Sequence, residues 1–432
     1  MTMHIIDWAG ATAPQRQQAL ARPAMGRDES VAQAVAAIVA DVRARGDDAV
    51  RDINARFDPA SRENLRVGAD EIASAVAGLD AGLRAAIDRA RANIAAFHEA
   101  QRPQAVRVET MPGVMCEMTW RAMENVGLYV PGGTAPLLST VLMLAIPARL
   151  AGCGRVFLCT PSRGGVIHPA ILAAAHLCGV DEIYGVGGAQ AVAAMAYGTA
   201  TIPKADKIFG PGNAYVTTAK QMVAQDAGGA AIDMPAGPSE VMIIAGAGDN
   251  PAWVAADMLA QAEHDVVAQA VLVTTDADFA RAVEKEITAQ LAQLPRREIA
   301  AQSLSHARVI IVPDMAAAID VANAYAPEHL IIHGDDAAAC VPHIRHAGSV
   351  FVGAWTPESA GDYASGTNHV LPTYGYARAY GGVNLYSFMK SMTVQRITPQ
   401  GLRNLGPSIM AMAGAEGLDA HARAVSMRLE TM

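Results

Sequence analysis

Two side chains near the end of a predicted helix, Gln261 and His264, stand three positions apart and could bind one metal ion. Residues at this spacing lie on the same face of a helix, so both side chains can point at one ion. Asp362 and His421 would complete a set of two nitrogen and two oxygen donors, which suits zinc and leaves room for substrate atoms. Polar helix edges, aspartates in turns and histidines in terminal helices are also common without a metal. These residues alone therefore leave a metal site and a polar surface both open.

A second candidate is the pair Glu328 and His329 in the stretch YAPEHLI. A carboxylate beside an imidazole supplies two different proton-transfer groups, one to activate water and one to take a hydroxyl proton. A solvated turn is the alternative. The position of the pair favours that alternative, because it precedes its predicted strand, whereas sites in α/β proteins usually lie beyond the carboxyl ends of strands.

Three glycine-rich turns, VPGGTAP, GVGGAQAV and FGPGNAYV, follow predicted strands. Glycine lets backbone N–H groups approach a phosphate, and a following helix N-terminus adds a favourable dipole. None of the turns matches the dinucleotide pattern G-x-G-x-x-G, because Gln190 occupies the third glycine position of GVGGAQ. Any one of them could be glycine-rich for turn geometry alone. Their concentration in residues 130–215 nevertheless favours a nucleotide or another anionic ligand.

The elements that must position these residues are helices first and then alternating strands and helices. Apolar residues recur at helical spacing over residues 29–101. Short apolar runs then alternate with helical patterns from residue 125, and the same order recurs from residue 239, which indicates two similar modules of parallel β-α-β units. Residues 355–382 form a predicted long loop rich in Gly, Ser, Thr and Tyr, and loops of this length are often functional.

Composition excludes several classes of protein. The 432 residues carry a formal net charge of −9, which leaves no basic surface for nucleic acid or an anionic membrane. No secretory signal and no membrane span is predicted, because Pro147 and Arg149 interrupt the most apolar stretch, so we expect a cytoplasmic protein. Five cysteines with no Cys-x-x-Cys pattern predict buried free thiols rather than disulfides or a thiolate zinc site.

Several long stretches together resemble one family, histidinol dehydrogenase. They are, in order, GLYVPGGTAPLLSTVLMLAIPARLAGC, VGGAQAVAAMAYGT, DKIFGPGNAYVTTAK, IDMPAGPSEV, QAEHD, YAPEHLI, SAGDYASGTNHVLPTYG and EGLDAHARAV. The similarity runs from the N-terminal IIDW to the last helix. It implies a zinc-dependent enzyme that uses two molecules of NAD to oxidise L-histidinol through L-histidinal to L-histidine, the last step of histidine biosynthesis.

The resemblance also implies a role for individual residues. The implied zinc ligands are Gln261, His264, Asp362 and His421. His329 would be the base that takes the alcohol proton, and Glu328 would activate water for attack on the aldehyde. The implied substrate contacts are Ser239, Gln261, His264, His329, Asp362, Glu416 and His421. The implied NAD contacts are Tyr129, Gln190 and Asn213, which lie in the three glycine-rich turns.

The fold implied by the resemblance is α/β, with two incomplete Rossmann-like domains, duplicated in origin, and small N- and C-terminal helical elements in a homodimer with shared active sites. The expected divisions are an N-terminal arm (1–22), a metal and substrate domain (23–126 with 239–383), an inserted NAD-binding domain (127–238) and a C-terminal helical dimerisation segment (384–432).

Three alternatives differ in chemistry from this expectation. A relative on the same scaffold could oxidise another small polar alcohol, such as a sulfonated diol, although the EGLDAH block with Glu416 and His421 favours histidinol. From other classes, a metal-dependent hydrolase would not use NAD, and a nucleotide-binding protein would catalyse nothing. The chain contains no His-Glu-x-x-His pattern that would indicate a hydrolase.

Overall fold

The computed structural model describes residues 3–23, 29–132, 136–235 and 237–431. Their strands are β1 (His4–Asp7), β2 (Val106–Met111), β3 (Val114–Ala122), β4 (Asn125–Tyr129), β5 (Arg155–Cys159), β6 (Ile183–Tyr184), β7 (Lys207–Phe209), β8 (Ala231–Ile232), β9 (Glu240–Ile244), β10 (Gln269–Thr274), β11 (Arg308–Ile311), β12 (His329–Ile332), β13 (Ser349–Val352) and β14 (Met389–Ile397). Their α-helices are α1 (Ala13–Ala19), α2 (Glu29–Arg45), α3 (Asp47–Phe57), α4 (Ala69–Ala77), α5 (Ala81–Glu99), α6 (Leu138–Ala151), α7 (Pro169–Leu177), α8 (Gly188–Tyr197), α9 (Ala214–Gln225), α10 (Pro251–Ala262), α11 (Ala277–Leu291), α12 (Arg297–Leu304), α13 (Met315–Tyr325), α14 (Ala337–Cys340), α15 (Glu358–Tyr363), α16 (Pro399–Ala415) and α17 (Asp419–Glu430).

Two parallel sheets confirm the predicted α/β class. The five-stranded sheet has the order β6-β5-β4-β7-β8, and the six-stranded sheet has the order β1-β11-β10-β9-β12-β13. Their strands are continuous apolar runs, such as VMII in β9, because helices cover both faces of each sheet. The long predicted helical region is also present, as α2 to α5.

Helices α2 to α5 pack against the five-stranded sheet and its helices. Helix α2 contacts α8 and α9, α4 contacts α7, and α5 contacts α6. The expected division grouped residues 23–126 with residues 239–383, and it stays a prediction, since α5 also contacts that second range through Asn93 and the carbonyl of Ala364. The apolar stripes of these helices are buried against the layer that surrounds β4 and β5, as Ile94 and Val50 illustrate.

The two ends of the chain contain strands as well as the predicted helices. Strand β1 extends the six-stranded sheet by pairing in parallel with β11. Strand β14 pairs with β3 in a three-stranded antiparallel sheet that also includes β2, a sheet that the sequence analysis did not predict. After β14, α16 and α17 pack on each other. Among the described helices, none is both long and apolar enough to cross a membrane.

Candidate active site

A cleft of about 140 Å³ lies where loops of the five-stranded sheet meet the amino ends of strands of the six-stranded sheet. It collects six of the predicted site residues, from distant parts of the sequence, together with polar side chains that were not predicted. The predicted residues that line it are Ser239, Gln261, His264, Glu328, His329 and Asp362.

Helix α10 brings Gln261 to this cleft. Asn250 caps the start of the helix by accepting a hydrogen bond from the N–H of Ala252. The side chain of Gln261 is fully buried at the other end, and neither its amide nitrogen nor its amide oxygen has a hydrogen-bond partner among the described residues. His264 lies just after the helix, in a turn closed by its N–H and the carbonyl of Gln261. The predicted same-face arrangement is therefore made by a helix and a turn together.

Asp362 lies on α15, a short helix inside the region predicted as a long loop. Glu358 precedes it by one helical turn and is almost fully buried. Potential ligand atoms of His264, Glu358 and Asp362 all lie within 4.8 Å of one another. The sequence analysis missed Glu358, although its spacing of four from Asp362 in ESAGDY was a usable signal once this segment was taken as a helix.

Glu328 and His329 are both buried, and the main chain of Glu240 holds the two side chains. The N–H of Glu240 donates to Oε2 of Glu328 at 2.9 Å, and the carbonyl of Glu240 lies 3.2 Å from Nδ1 of His329. Because a carbonyl oxygen only accepts, the proton of the neutral ring is on Nδ1. In that neutral form Nε2 of His329 has a free lone pair. This atom has no hydrogen-bond partner and lies 3.6 Å from Oδ1 of Asp362. This is the arrangement that a general base requires.

Buried charges determine the protonation of this cluster. Burial raises the pKa of Glu328 and that of Glu358 to about 8. Burial alone would lower the pKa of His329, but Glu358, Glu328 and Asp362 outweigh it and hold that pKa well above its usual value. Without an added positive charge, His329 therefore keeps both ring protons at neutral pH. A divalent cation held beside Asp362 would offset the carboxylates and favour the neutral ring that a base requires.

An arginine from the N-terminal arm, Arg22, supports the segment that holds Glu328 and His329. The guanidinium of Arg22 donates to both carboxylate oxygens of Glu240, at 2.5 and 2.7 Å, and lies over the ring of Tyr325. The hydroxyl of Tyr325 donates to Gln269 at 2.8 Å. Sequence reasoning missed Arg22 and Glu240, which are 218 residues apart. Their contacts hold the segment from which Glu328 and His329 take their hydrogen bonds.

A second cleft, of about 340 Å³, lies beside the glycine-rich turns after β6 and β7. Gln190 and Asn213 line it, as predicted for cofactor contacts. Nε2 of Gln190 donates to Oδ1 of Asn54 at 3.0 Å, and the side chain of Asn213 caps α9. Tyr129 is buried at the end of β4. Its hydroxyl accepts from the N–H of Gly188, which lies in the glycine-rich turn after β6. In the first glycine-rich turn, residues 133–135 lie outside the described residues.

Glu416 and His421 are exposed, at the end of α16 and near the start of α17. Neither belongs to the described residues that line the catalytic cleft. A single chain therefore assembles three of the four predicted metal ligands, and His421 would have to come from elsewhere.

The donor set fits a divalent cation such as zinc. Besides the amide of Gln261, the orphan buried atoms in this region are Nε2 of His329, Nε2 of His369 and Oε2 of Glu358. Buried polar atoms normally have partners, so this cluster of unpaired nitrogen and oxygen atoms at one cleft is what an absent ligand leaves. The cysteines take no part. All five are free thiols, and four of them are buried, with Cys116 partly exposed.

One cleft lined by glycine-rich turns thus adjoins another lined by buried imidazole and carboxylate groups. On a parallel α/β scaffold, two adjoining clefts of this kind are typical of an oxidoreductase, a class that binds a cofactor and a polar substrate side by side.

Comparison with known proteins then identifies the family. The chain belongs to the histidinol dehydrogenase family, whose sequence model matches residues 21–429. It is 52% identical over 428 residues to histidinol dehydrogenase of Escherichia coli O6:H1, covering 99% of this chain and 98% of that protein. It is 50% identical over 430 residues to the enzyme of Vibrio parahaemolyticus, covering 100% and 99% of the two chains. The crystal structure of histidinol dehydrogenase from Elizabethkingia anophelis superposes with a TM-score of 0.95 at 47% identity, covering 99% of this chain and 98% of that one.

Proposed function

We propose that the chain catalyses the zinc- and NAD-dependent oxidation of L-histidinol through L-histidinal to L-histidine, the last step of histidine biosynthesis. The observation that carries this proposal is the buried pair Glu328 and His329, with Nε2 of His329 free beside Asp362. A free imidazole nitrogen and a carboxylate at one cleft are what an alcohol oxidation followed by an aldehyde oxidation needs. The identity of 52% to a named histidinol dehydrogenase over the full chain supports this substrate.

Zinc would be held by Gln261, His264 and Asp362 from one chain and by His421 from a second copy. When bound, the metal supplies a fixed attachment point that orients the substrate's nitrogen atoms. Ser239, which lines the same cleft, and Glu416 from the second copy would make further substrate contacts. Glu358 is near enough to His264 and Asp362 to affect the charge of this site.

The chain's own residues would move the protons of both half-reactions. Nε2 of His329 takes the hydroxyl proton of the alcohol, which makes loss of the hydride from carbon easier. Glu328 then takes a proton from water, which adds to the aldehyde, and the resulting hydrate undergoes the second oxidation. NAD supplies the hydride acceptor, and Tyr129, Gln190 and Asn213 would position it in the neighbouring cleft.

The order of the strands supports the proposed duplication of two incomplete Rossmann-like domains. Without β1, the six-stranded sheet reads β11-β10-β9-β12-β13, and the five-stranded sheet reads β6-β5-β4-β7-β8. Numbered within each sheet, both orders are 3-2-1-4-5, which is the order of a Rossmann-like sheet up to its fifth strand.

The assay that tests the proposed function is absorbance at 340 nm after the protein is mixed with zinc, NAD and L-histidinol. We expect two NADH per L-histidinol consumed. One NADH per substrate would contradict the four-electron reaction, and activity with a sulfonated diol but not with L-histidinol would assign the chain to another substrate. No NADH formation with any alcohol would contradict the dehydrogenase assignment.

A homodimer with shared sites is part of this proposal, because α16 and α17 are largely exposed in one chain. Complementation tests it. His264→Ala and His421→Ala subunits, each inactive alone, are mixed under conditions that allow exchange. If ligands are shared, a mixed dimer has one site with both lesions and one intact site, so activity recovers to about half per dimer. If all ligands come from one chain, the mixture stays inactive.

A further inference from the structure

The segment Gly210–Asn213, which joins β7 to α9, forms the wall between the two clefts. Gly210, Pro211 and Gly212 line the catalytic cleft, together with His329. Asn213, the next residue, lines the cofactor cleft. The conformation of this short segment therefore affects how the two clefts lie relative to each other.

Two buried side chains hold both polar groups of Gly210. Oδ2 of Asp233 accepts from the N–H of Gly210 at 2.8 Å, and Nζ of Lys220 donates to the carbonyl of Gly210 at 2.8 Å. Nζ of Lys220 also lies 2.5 Å from Oδ1 of Asp233, and the two side chains are 6% and 1% exposed. The ion pair and the glycine thus form a closed ring of contacts, which we call the Gly210 clamp.

The clamp holds Gly210 in a backbone conformation that only glycine can adopt at this position. Gly210 has a φ of +126°, and a Cβ placed on it would lie 2.0 Å from the carbonyl oxygen of Tyr129. Only glycine tolerates this conformation and this contact. Glycine is also flexible, so external bonds are needed to hold one conformation. Lys207 is a second cation near Asp233. Burial lowers the pKa of Lys207, Asp233 opposes this shift, and the charge of Lys220 adds to it.

A buried ion pair costs desolvation free energy and is often no more stabilising than an apolar pair. Stability alone is therefore a weak explanation for Lys220 and Asp233. The hydrogen bonds with Gly210 offer a better explanation, because through them the ion pair fixes the position of the wall between the clefts.

We propose that Lys220 and Asp233 are positioning residues, which hold the Gly210–Asn213 wall so that the cofactor cleft and the catalytic cleft are aligned for hydride transfer. This inference deepens the proposed function, since it rests on NAD binding beside Gln190 and Asn213. Neither residue needs to touch the reacting atoms, because a shift of about 1 Å in the wall is enough to slow a transfer that depends on alignment about 100-fold.

The test compares Lys220→Met with Lys204→Met. Lys204 also donates from Nζ to a glycine carbonyl at 2.8 Å, that of Gly228, but it is exposed and lines neither cleft. For Lys220→Met we expect kcat to fall about 10- to 100-fold and the Kd of NADH, measured by fluorescence without substrate, to rise about three- to tenfold. Zinc content should stay at the wild-type level, because the clamp includes none of the proposed ligands. Lys204→Met should match the wild type in all three measurements.

A purely structural role predicts a different result. In that case Lys220→Met would have a lower Tm, but its kcat and its Kd for NADH, measured well below that Tm, would stay within twofold of the wild type. That result would overturn the proposal. If Lys220→Met does not fold, Asp233→Asn takes its place, because it keeps an oxygen for the N–H of Gly210, removes the charge and puts a group that cannot accept opposite Nζ of Lys220. The same two changes are then expected with smaller size, and unchanged values overturn the proposal.

The NADH titration separates this inference from the proposed reaction. If the wild-type protein binds NADH but does not oxidise L-histidinol, the proposed substrate is wrong. The role of the Gly210 clamp is then still tested by the change in the Kd of NADH in Lys220→Met. A wild-type protein that does not bind NADH overturns the clamp together with the cofactor assignment.

Discussion

The two parallel sheets contribute opposite ends of their strands to the functional region. In the five-stranded sheet, the glycine-rich turns that line the clefts follow β6 and β7, at the carboxyl ends. In the six-stranded sheet, Ser239 directly precedes β9, and Glu328 and His329 stand at the start of β12, so the contribution comes from the amino ends. The usual rule that α/β sites lie beyond carboxyl ends thus describes the contribution of the five-stranded sheet only.

The difference follows from what each cleft has to bind. Carboxyl ends lead into helix N-termini, where backbone N–H groups and glycine suit a phosphate-containing cofactor. The catalytic cleft instead needs side chains with shifted pKa values, and buried carboxylates must be supported by buried partners such as Arg22. One cleft therefore depends on backbone geometry and the other on side-chain electrostatics, and mutations should affect them separately.

The largest separate effect is expected from the metal ligands. Replacing His264 or Asp362 with Ala removes one of four protein ligands, so zinc affinity should fall more than about 100-fold while NADH binding remains. Elemental analysis of the purified variants and NADH fluorescence measure the two effects. Asp265→Ala, in the same turn but outside the proposed ligand set, serves as the control. Full zinc content in either ligand variant would contradict the assignment.

Substitutions of Glu328 and His329 should affect the two oxidation steps differently. His329→Asn removes the base beside Asp362 and should slow both oxidations by about 10²- to 10⁴-fold. Glu328→Gln keeps an oxygen that can accept from the N–H of Glu240, but it loses the base for water, so it should slow oxidation of L-histidinal much more than that of L-histidinol. Single-turnover kinetics with each substrate measure both. Equal losses in Glu328→Gln would rule out this division of roles.

The support behind the catalytic cleft should matter more than a similar contact on the surface. Arg22→Met leaves the carboxylate of Glu240 buried without its partner, which should lower the free energy of unfolding by about 3–5 kcal/mol. Arg43→Met removes an ion pair with Asp226 whose side chains are 58% and 29% exposed, and it should lower the free energy of unfolding much less, because solvent screens an exposed pair. Urea unfolding compares the two variants. Equal costs would show that Arg22 is not a structural support of the site.

Oxidation of L-histidinal should accelerate as the pH rises. The water-activating role requires the ionised form of Glu328, and burial raises its pKa to about 8. A carboxyl group with this pKa is about one-tenth ionised at pH 7 and half ionised at pH 8, so the rate should increase about fivefold between them. The increase should disappear in Glu328→Gln. A rate that is constant or falls over this interval in the wild type would contradict the assignment.

The smallest effect concerns the cofactor cleft. Asn213→Ala removes a helix cap that accepts from two N–H groups, which costs about 1 kcal/mol of stability, and it also removes the proposed cofactor contact. Asp276→Ala removes a similar two-bond cap at α11, on the six-stranded sheet. Both variants should lose similar stability and keep their zinc, but only Asn213→Ala should weaken NADH binding. Equal NADH affinity in both would remove Asn213 from the cofactor site.

The local elements and part of the site can be predicted from the amino-acid sequence. Helical periodicity predicted the region of α2 to α5, and alternating apolar runs predicted two sets of parallel strands. Short motifs also singled out Gln261, Glu328 and His329 as candidates, the family resemblance implied their roles, and the fold brings them to one cleft. These features are readable because periodicity, turn chemistry and short motifs depend on residues within a few positions of one another.

Which of these elements contact one another depends on long-range packing. It placed α2 to α5 on the five-stranded sheet, brought Glu358 next to His329, and joined Arg22 to Glu240 across 218 residues. It also placed the amino ends of β9 and β12 in the cleft, against the expectation for a pair that precedes its strand. No local pattern encodes such contacts, because the free energy that selects them comes from burying apolar surfaces and pairing charges between segments that are distant in the chain.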